Sequence, residues 1–511
     1  MPEDVRPLRG WGRFVRSVVA PLVAGALLVP AFAPFDWWPL AAISLALLLG
    51  LWAGCRPRTA AARGFLFGVG CFGPGIYWLY ISVHTFGGAP VWLAVALTVA
   101  LIGYMSLYPA AAGWLLCRLF PGAGAVRSLL AFPALWALLE WLRSWLFTGF
   151  PWLSVGYSQI DTPLAGYAPV LGVFGVGMAL ALSAGCLWLL LSGPPRRRLL
   201  ALGAAAAVWA GGALLGGVPW THPDGRALTV ALVQGNEPQN KKWLPDNLMP
   251  TLQRYLRLTD GHWNDDLIIW PEAAIPALYD NVSGFIDALG HKVASHHSHL
   301  MLGVLRHMQR GNRYFNSVLD IGPHGGRHFY YKRHLVPFGE YFPVPDFVRQ
   351  WLRILHLPYT SLSPGRPDQP PLPVDGVPAG VSICYEDAFG SLIVRDVPPA
   401  RILVNVSNDA WFGHSIALAQ HLEMTRMRAL EAGRPLLRTT NTGITALIGY
   451  RGRIRASLPK FHAAVLTGRV QPRRGATPYA IGANKWLVAL AGAGLFLALL
   501  LAPRLSRRDP R

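Results

Sequence analysis

The first 220 residues are dominated by apolar runs long enough to cross a membrane, and this restricts the fold more than any other feature. A spanning helix needs about 20 mostly apolar residues. Such runs occupy residues 14–33, 37–53, 64–83, 91–116, 128–147, 165–191 and 199–217, and an eighth lies at 486–501. In lipid every backbone polar group must be satisfied locally, so these runs predict helices. The mean hydropathy of +0.33 agrees. So does a charged fraction of 14%, since soluble domains carry about 25%. Because further apolar runs follow it, the first reads as a retained span rather than a cleaved signal.

The arginines set the expected orientation. Arg6, Arg9, Arg13 and Arg16 precede the first run; Arg56, Arg58 and Arg63 lie between the second and third. Arg118 and Arg127 flank the next alternate loop, Arg196, Arg197 and Arg198 sit between the sixth and seventh runs, and Arg504, Arg507, Arg508 and Arg511 follow the eighth. The loops after the first and third runs hold no Lys or Arg. Basic residues stay on the cytoplasmic side, so both termini are expected there and the polar region between runs seven and eight outside. The net charge of +20 is thereby explained without nucleic acid. Trp37, Trp38, Trp92, Trp145 and Trp152, near run ends, suit an interfacial aromatic belt. Gly64 and Gly68 have the spacing of a close helix contact.

Three parts follow: a membrane domain of seven helices over residues 1–220, a polar domain over 226–471, and an eighth helix over 484–503. In the polar domain, apolar β-rich runs at 228–234, 267–270, 300–305, 380–384 and 402–406 alternate with helical patterns at 246–259, 283–297 and 415–432. Two more strands, 435–440 and 444–448, meet at an Asn-Thr-Gly turn. Continuous apolar strands imply sheets covered on both faces, an α/β layered domain. Cys55, Cys71, Cys117 and Cys186 belong to the apolar half, leaving Cys384 alone in the polar one. No zinc spacing occurs. His296, His297 and His299 read as surface histidines at a helix end rather than a metal set.

Three strand ends carry unusual residues: Glu272 after the 267–270 run, Lys332 and Glu340 within HFYYKRHLVPFGEYFP, and Cys384-Tyr385-Glu386 after GVSI at 380–383. A cysteine attacks a carbonyl as thiolate, yet a free thiol has a pKa of about 8.5. A nearby carboxylate can take its proton. A lysine ammonium can stabilise the resulting oxyanion, helped by a backbone N–H at the turn after the cysteine. Together the three suffice for acyl transfer without metal or cofactor. Singly, each has a plainer reading: a buried structural thiol, a solvated lysine, and a cap on a helix at 273–278.

The motifs WPEAAIP, YYKRHLVPFGEYFP, SICYEDAFG and NVSNDAWFG, in that order, resemble the nitrilase superfamily. With flanking spans, GNEPQNKKW, GFPWLSVGYSQ and residues 420–445, the chain resembles its membrane-anchored apolipoprotein N-acyltransferase branch. That resemblance implies eight membrane helices plus an αββα sandwich facing the periplasm from the bacterial inner membrane. It implies Glu272 as base, Lys332 as oxyanion stabiliser and Cys384 as nucleophile. Glu340, Tyr385, Glu386 and Asn316 match supporting positions, and Trp243 and Trp411 match aromatic residues on loops near the substrate entrance. The implied reaction is ping-pong: the sn-1 acyl chain of a phospholipid, phosphatidylethanolamine, passes through a Cys384 thioester to the α-amino group of a diacylglyceryl-cysteine on an apolipoprotein. The alternative is a membrane-tethered amidase using water as acceptor.

Overall fold

The structure is a computed structural model that describes residues 12, 14–122, 124–341 and 362–506. Arg6, Arg9, Arg13, Arg507, Arg508 and Arg511 lie outside the described residues, as do Phe342 and Pro343 of the lysine motif. The chain divides into two compact units, one of residues 1–79, 92–218 and 482–511, the other of residues 80–91 and 219–481.

Among the described residues of the chain, five helices are long and apolar enough to cross a membrane. They are Val91–Leu119, Gly124–Arg143, Pro163–Ser192, Pro195–Gly217 and Lys485–Ala502. Counting the bent pair Pro57–Gly75 and Trp78–Phe86 as one span raises the number to six. Val15–Ala31 and Pro39–Trp52 are apolar but shorter. The expected continuous helix over 64–83 breaks after Gly75. Pro74 supplies no N–H there, and Ile76 leaves the helical region at φ −128° and ψ 21°. Gly64 and Gly68 do mark a close contact, since a Cβ on either would strike Pro109 or Ser106 of the facing helix.

Two expectations for the first unit need correction. The helix expected over 128–147 stops at Arg143. The chain then turns back, and the Arg143 guanidinium donates to the carbonyls of Phe150 at 2.8 Å and Trp152 at 2.7 Å. The Glu140 carboxylate accepts from the Val155 N–H at 2.9 Å. These two buried charges satisfy backbone groups of the returning loop, which cannot bond one another as a helix would. Trp152 is accordingly core rather than interfacial: it is fully buried and stacks on Phe150 with ring centroids 6.0 Å apart.

The described residues of the second unit form two large sheets and a two-stranded one that pairs Thr221–Pro223 with Arg473–Gly475. One large sheet runs in the order Ala464–Val470, Leu228–Gln234, Leu267–Ile269, His299–Met308, Arg313–Ile321 and Arg327–Tyr331, with Ile275–Leu278 also pairing with His299–Met308. The other runs Ile454–Ser457, Ala446–Ile448, Leu436–Thr440, Ile402–Ser407, Val377–Ile383 and Leu372–Val374. Both have parallel centres: Leu228–Gln234 beside Leu267–Ile269, and Val377–Ile383 beside Ile402–Ser407. The sheets meet through Leu436–Thr440 and Leu228–Gln234. Helices Leu248–Thr259 and Ser283–His296 cover the first sheet, burying Leu252, Tyr255, Ile286 and Leu289 against Val233, Ile268 and Leu300. Helix Ala417–Ala432 covers the second. The result is an αββα sandwich.

Two further expectations fall here. Residues 275–278 form a strand, not a helix, so Glu272 caps nothing. The β-branched Ile275 fits the edge beside Val304. His299 is buried, not a surface histidine, and its Nδ1 lies 3.2 Å from Asp320 Oδ1. A strand position paired with Leu267 places it inside the sheet.

Candidate active site

The expected residues converge from four strands. Glu272 follows Leu267–Ile269, Asn316 lies within Arg313–Ile321, Lys332 follows Arg327–Tyr331 and Cys384 follows Val377–Ile383. Three of these strands belong to the first sheet, where Arg313–Ile321 runs antiparallel to its neighbours, and Val377–Ile383 belongs to the second, so the site draws on both sheets. The Lys332 ammonium, 1% exposed, sits 2.9 Å from Glu340 and 3.6 Å from Glu272 Oε1. It is therefore no solvated lysine. Burial alone would make it easier to deprotonate, but Glu340, Glu272 and Cys384 overcome that and hold its proton well above the usual lysine range.

Glu272 is held by named donors. Asn316 Nδ2 donates to Oε1 at 2.7 Å and the Asn408 N–H donates to Oε2 at 2.8 Å. Asn316 Nδ2 also lies 3.0 Å from Glu340 Oε1, and the Val336 N–H donates to Glu340 Oε2 at 2.8 Å. Glu340 is thus fixed as the partner that aims Lys332. The Cys384 backbone adopts φ +52°. That left-handed conformation costs a non-glycine residue energy and is found where a side chain must be presented at a sharp turn. Burial pushes the Cys384 thiol well above its ordinary value, the Glu272 carboxylate pushes it further, and Lys332 opposes both. At rest the sulfur is a thiol in need of a base.

Glu386 is buried behind the turn. Its carboxylate accepts from the Ile383 N–H at 2.7 Å, the Arg333 N–H at 2.6 Å, the His334 N–H at 3.0 Å and Tyr330 Oη at 2.9 Å. It clamps the cysteine turn to the two residues after Lys332. Burial raises its proton affinity, to about 7, against those donors. Tyr385 packs edge-on against Phe389, centroids 5.1 Å apart. Trp243 and Trp411 are 47% and 38% exposed. The Trp411 carbonyl accepts from Ser82 Oγ at 2.8 Å, and its ring meets Phe86 edge-on at 6.3 Å.

Residues 24–186 match the family of the apolipoprotein N-acyltransferase N-terminal domain, and residues 229–479 match the carbon-nitrogen hydrolase family. An apolipoprotein N-acyltransferase of Methylococcus capsulatus is 46% identical over 91% of this chain and 92% of its own length. Relatives of the same name from Coxiella burnetii and Nitrosomonas europaea are 42% and 44% identical, covering 91% and 96% of this chain and 96% and 98% of theirs. The chain belongs to the apolipoprotein N-acyltransferase family.

Several residues of the site escaped sequence reasoning. Lys242 is buried, and its Nζ donates to the Glu272 carbonyl at 3.2 Å. Burial lowers its proton affinity, to about 8, against the pull of Glu272 and Glu237. A second buried cluster lies beneath the cysteine turn. His421 sits 2.8 Å from Asp387 and 2.9 Å from Asp409, and Arg438 bridges the same carboxylates at 3.0 and 2.8 Å. His421 Nε2 also lies 3.3 Å from the Cys384 carbonyl. Burial disfavours the imidazolium, but Asp387 and Asp409 outweigh it and raise His421 to about 9. Charged residues on a helix and strand otherwise rich in apolar side chains were the available signal: Arg438 in LLRTT and His421 in a helix buried almost throughout.

Proposed function

We propose that this chain transfers the sn-1 acyl chain of a phospholipid, phosphatidylethanolamine, to the α-amino group of the diacylglyceryl-cysteine that begins an apolipoprotein. The observation that carries the mechanism is the placement of Lys332 between Glu272 and Glu340, within reach of the charge on a strained Cys384. Glu272 takes the thiol proton and the thiolate attacks the ester carbonyl. Lys332 stabilises the oxyanion. The lysophospholipid oxygen leaves with the proton from Glu272, and a thioester remains on Cys384. In the second half the acceptor amine attacks that thioester, Glu272 receives the amine proton, and the thiolate of Cys384 leaves and recovers a proton.

In this reading Glu340 and Asn316 position Lys332 and Glu272, and Glu386 and Tyr385 support the cysteine turn. Trp243 and Trp411 offer exposed rings to acyl chains. The site would work at the surface of the bacterial inner membrane. Residues 226–471 would face the periplasm, between seven helices in residues 1–220 and an eighth over 484–503, with both termini cytoplasmic. The arginine alternation supports that orientation. A reporter fused after Gly217 should be active only in its periplasmic form.

Labelled phosphatidylethanolamine supplied alone tests the chemistry. Label is expected on Cys384 in the wild type and absent from Cys384→Ala. On adding a diacylglyceryl peptide, the label should pass to its amine. Label persisting in Cys384→Ala, or passing only to water, would overturn the transfer.

A further inference from the structure

Trp243 and Trp411 stand far apart in sequence, yet each is carried by a one-turn helix that begins at a member of the same hydrogen bond. Gln239 opens the Gln239–Lys242 turn that leads into Trp243. Asn408 is the N-cap of Asp409–Phe412, which contains Trp411. Asn408 Nδ2 donates to Gln239 Oε1 at 2.8 Å. The other end of the Asn408 carboxamide accepts from Asn441 Nδ2 at 3.1 Å. Asn441 in turn donates to the Glu237 carbonyl at 2.8 Å and accepts from the Glu237 N–H at 2.9 Å.

Both segments also end on one residue. The Asn408 N–H holds Glu272 Oε2 and the Lys242 ammonium holds the Glu272 carbonyl. Asn408 is buried and Lys242 is buried, so neither contact is diluted by solvent. A displacement of either aromatic segment therefore pulls on the other and on Glu272.

We infer that the Gln239–Asn408 bridge couples the Trp243 and Trp411 segments into one unit, making Gln239 and Asn408 positioning residues for Glu272. The inference deepens, and in its activity readout rests on, the acyl transfer proposed at Cys384. It predicts that the two aromatic residues act together rather than as independent lipid contacts. Gln239 is only half-buried, so it can be changed without opening the core.

Hydrogen exchange on the full chain in phosphatidylethanolamine-containing nanodiscs tests the coupling. Gln239→Leu removes the acceptor, and Gln239→Glu keeps one. In Gln239→Leu, amides 409–413 should exchange roughly tenfold faster, the size expected of one lost side-chain hydrogen bond, together with amides 240–243. Gln239→Glu should hold both segments at wild-type rates. Unchanged exchange over 409–413 in Gln239→Leu would overturn the inference. Turnover gives the second readout. In the wild-type background, the Trp243→Ala/Trp411→Ala double variant should lose no more than the larger single loss; in the Gln239→Leu background the two losses should multiply. Losses that multiply already in the wild type would count against the coupling. Exchange is measured without turnover, so missing label on Cys384 would remove the reaction while the exchange rates still decide whether the bridge couples the two segments.

Discussion

Two buried charge clusters lie on either side of the cysteine turn, and they are built differently. In front, Glu272 and Glu340 share one ammonium, that of Lys332. Behind, Asp387 and Asp409 are matched by Arg438 and His421. The front cluster also has the buried Lys242 ammonium on the Glu272 carbonyl. The rear cluster balances when His421 is charged, and all four of its members are sealed from solvent. Arg438 and His421 hold Asp409 far below the usual carboxylate range despite its burial. An uncompensated buried charge is costly, so proteins neutralise it or use it. In the proposed reaction the front cluster moves a proton, and the rear one takes no part in it.

That contrast can be broken from the front first. Glu272→Gln keeps an acceptor oxygen for Asn316 but removes the proposed base. Acylation of Cys384 should slow by roughly two to four orders of magnitude, with little change in thermal unfolding. A large loss of stability at intact acylation would reverse the roles assigned to the two clusters.

Arg438→Met attacks the rear. It leaves two buried carboxylates sharing one imidazolium, a break that costs about 3–5 kcal/mol. Chemical denaturation of the second unit should report it, and activity should fall only as the folded fraction falls.

His421 sharpens the contrast through pH. Its folded pKa is raised to about 9 from 6.5, so the stability it adds is fully present below about 6.5 and is lost as pH rises through about 9. The gap in unfolding temperature between wild type and His421→Asn should therefore narrow across that window. A gap that widens towards alkaline pH would mean His421 is neutral in the fold.

The smallest effect belongs to the rim. Trp411→Ala should lower turnover of long-chain phospholipid by several-fold, the scale of one exposed aromatic contact, and leave unfolding unchanged. Turnover that is equal for long- and short-chain donors in wild type and variant alike would remove the acyl chain as its partner.

Apolar periodicity made much of the sandwich legible. The strand expected over 228–234 is Leu228–Gln234, and the one expected over 402–406 is Ile402–Ser407. The hairpin at the Asn-Thr-Gly turn also forms, between Leu436–Thr440 and Ala446–Ile448. The strand Arg313–Ile321 was not legible. It carries Asn316, Ser317 and Asp320, which interrupt the apolar pattern. Each has a hydrogen bond inside the sandwich, with Glu272, the Val304 carbonyl and His299 respectively. Burying a polar group is tolerable once it is bonded, and its partner lies well outside the neighbouring sequence.

The sequence by itself determined the apolar runs, the arginine alternation, and the order of Glu272, Lys332 and Cys384 at strand ends, because each is a local pattern or a local motif. Only the tertiary structure decided that Glu340 lies 2.9 Å from Lys332 while Glu386 accepts from Tyr330 and the backbone of the cysteine turn. It alone turned the chain after Arg143 onto the Glu140–Arg143 pair. It alone brought Asn408, 136 residues on, to Glu272. The physical reason is common to all three: a buried charge or backbone group must find its partner in space, and hydrogen-bond satisfaction leaves almost no trace in the neighbouring sequence.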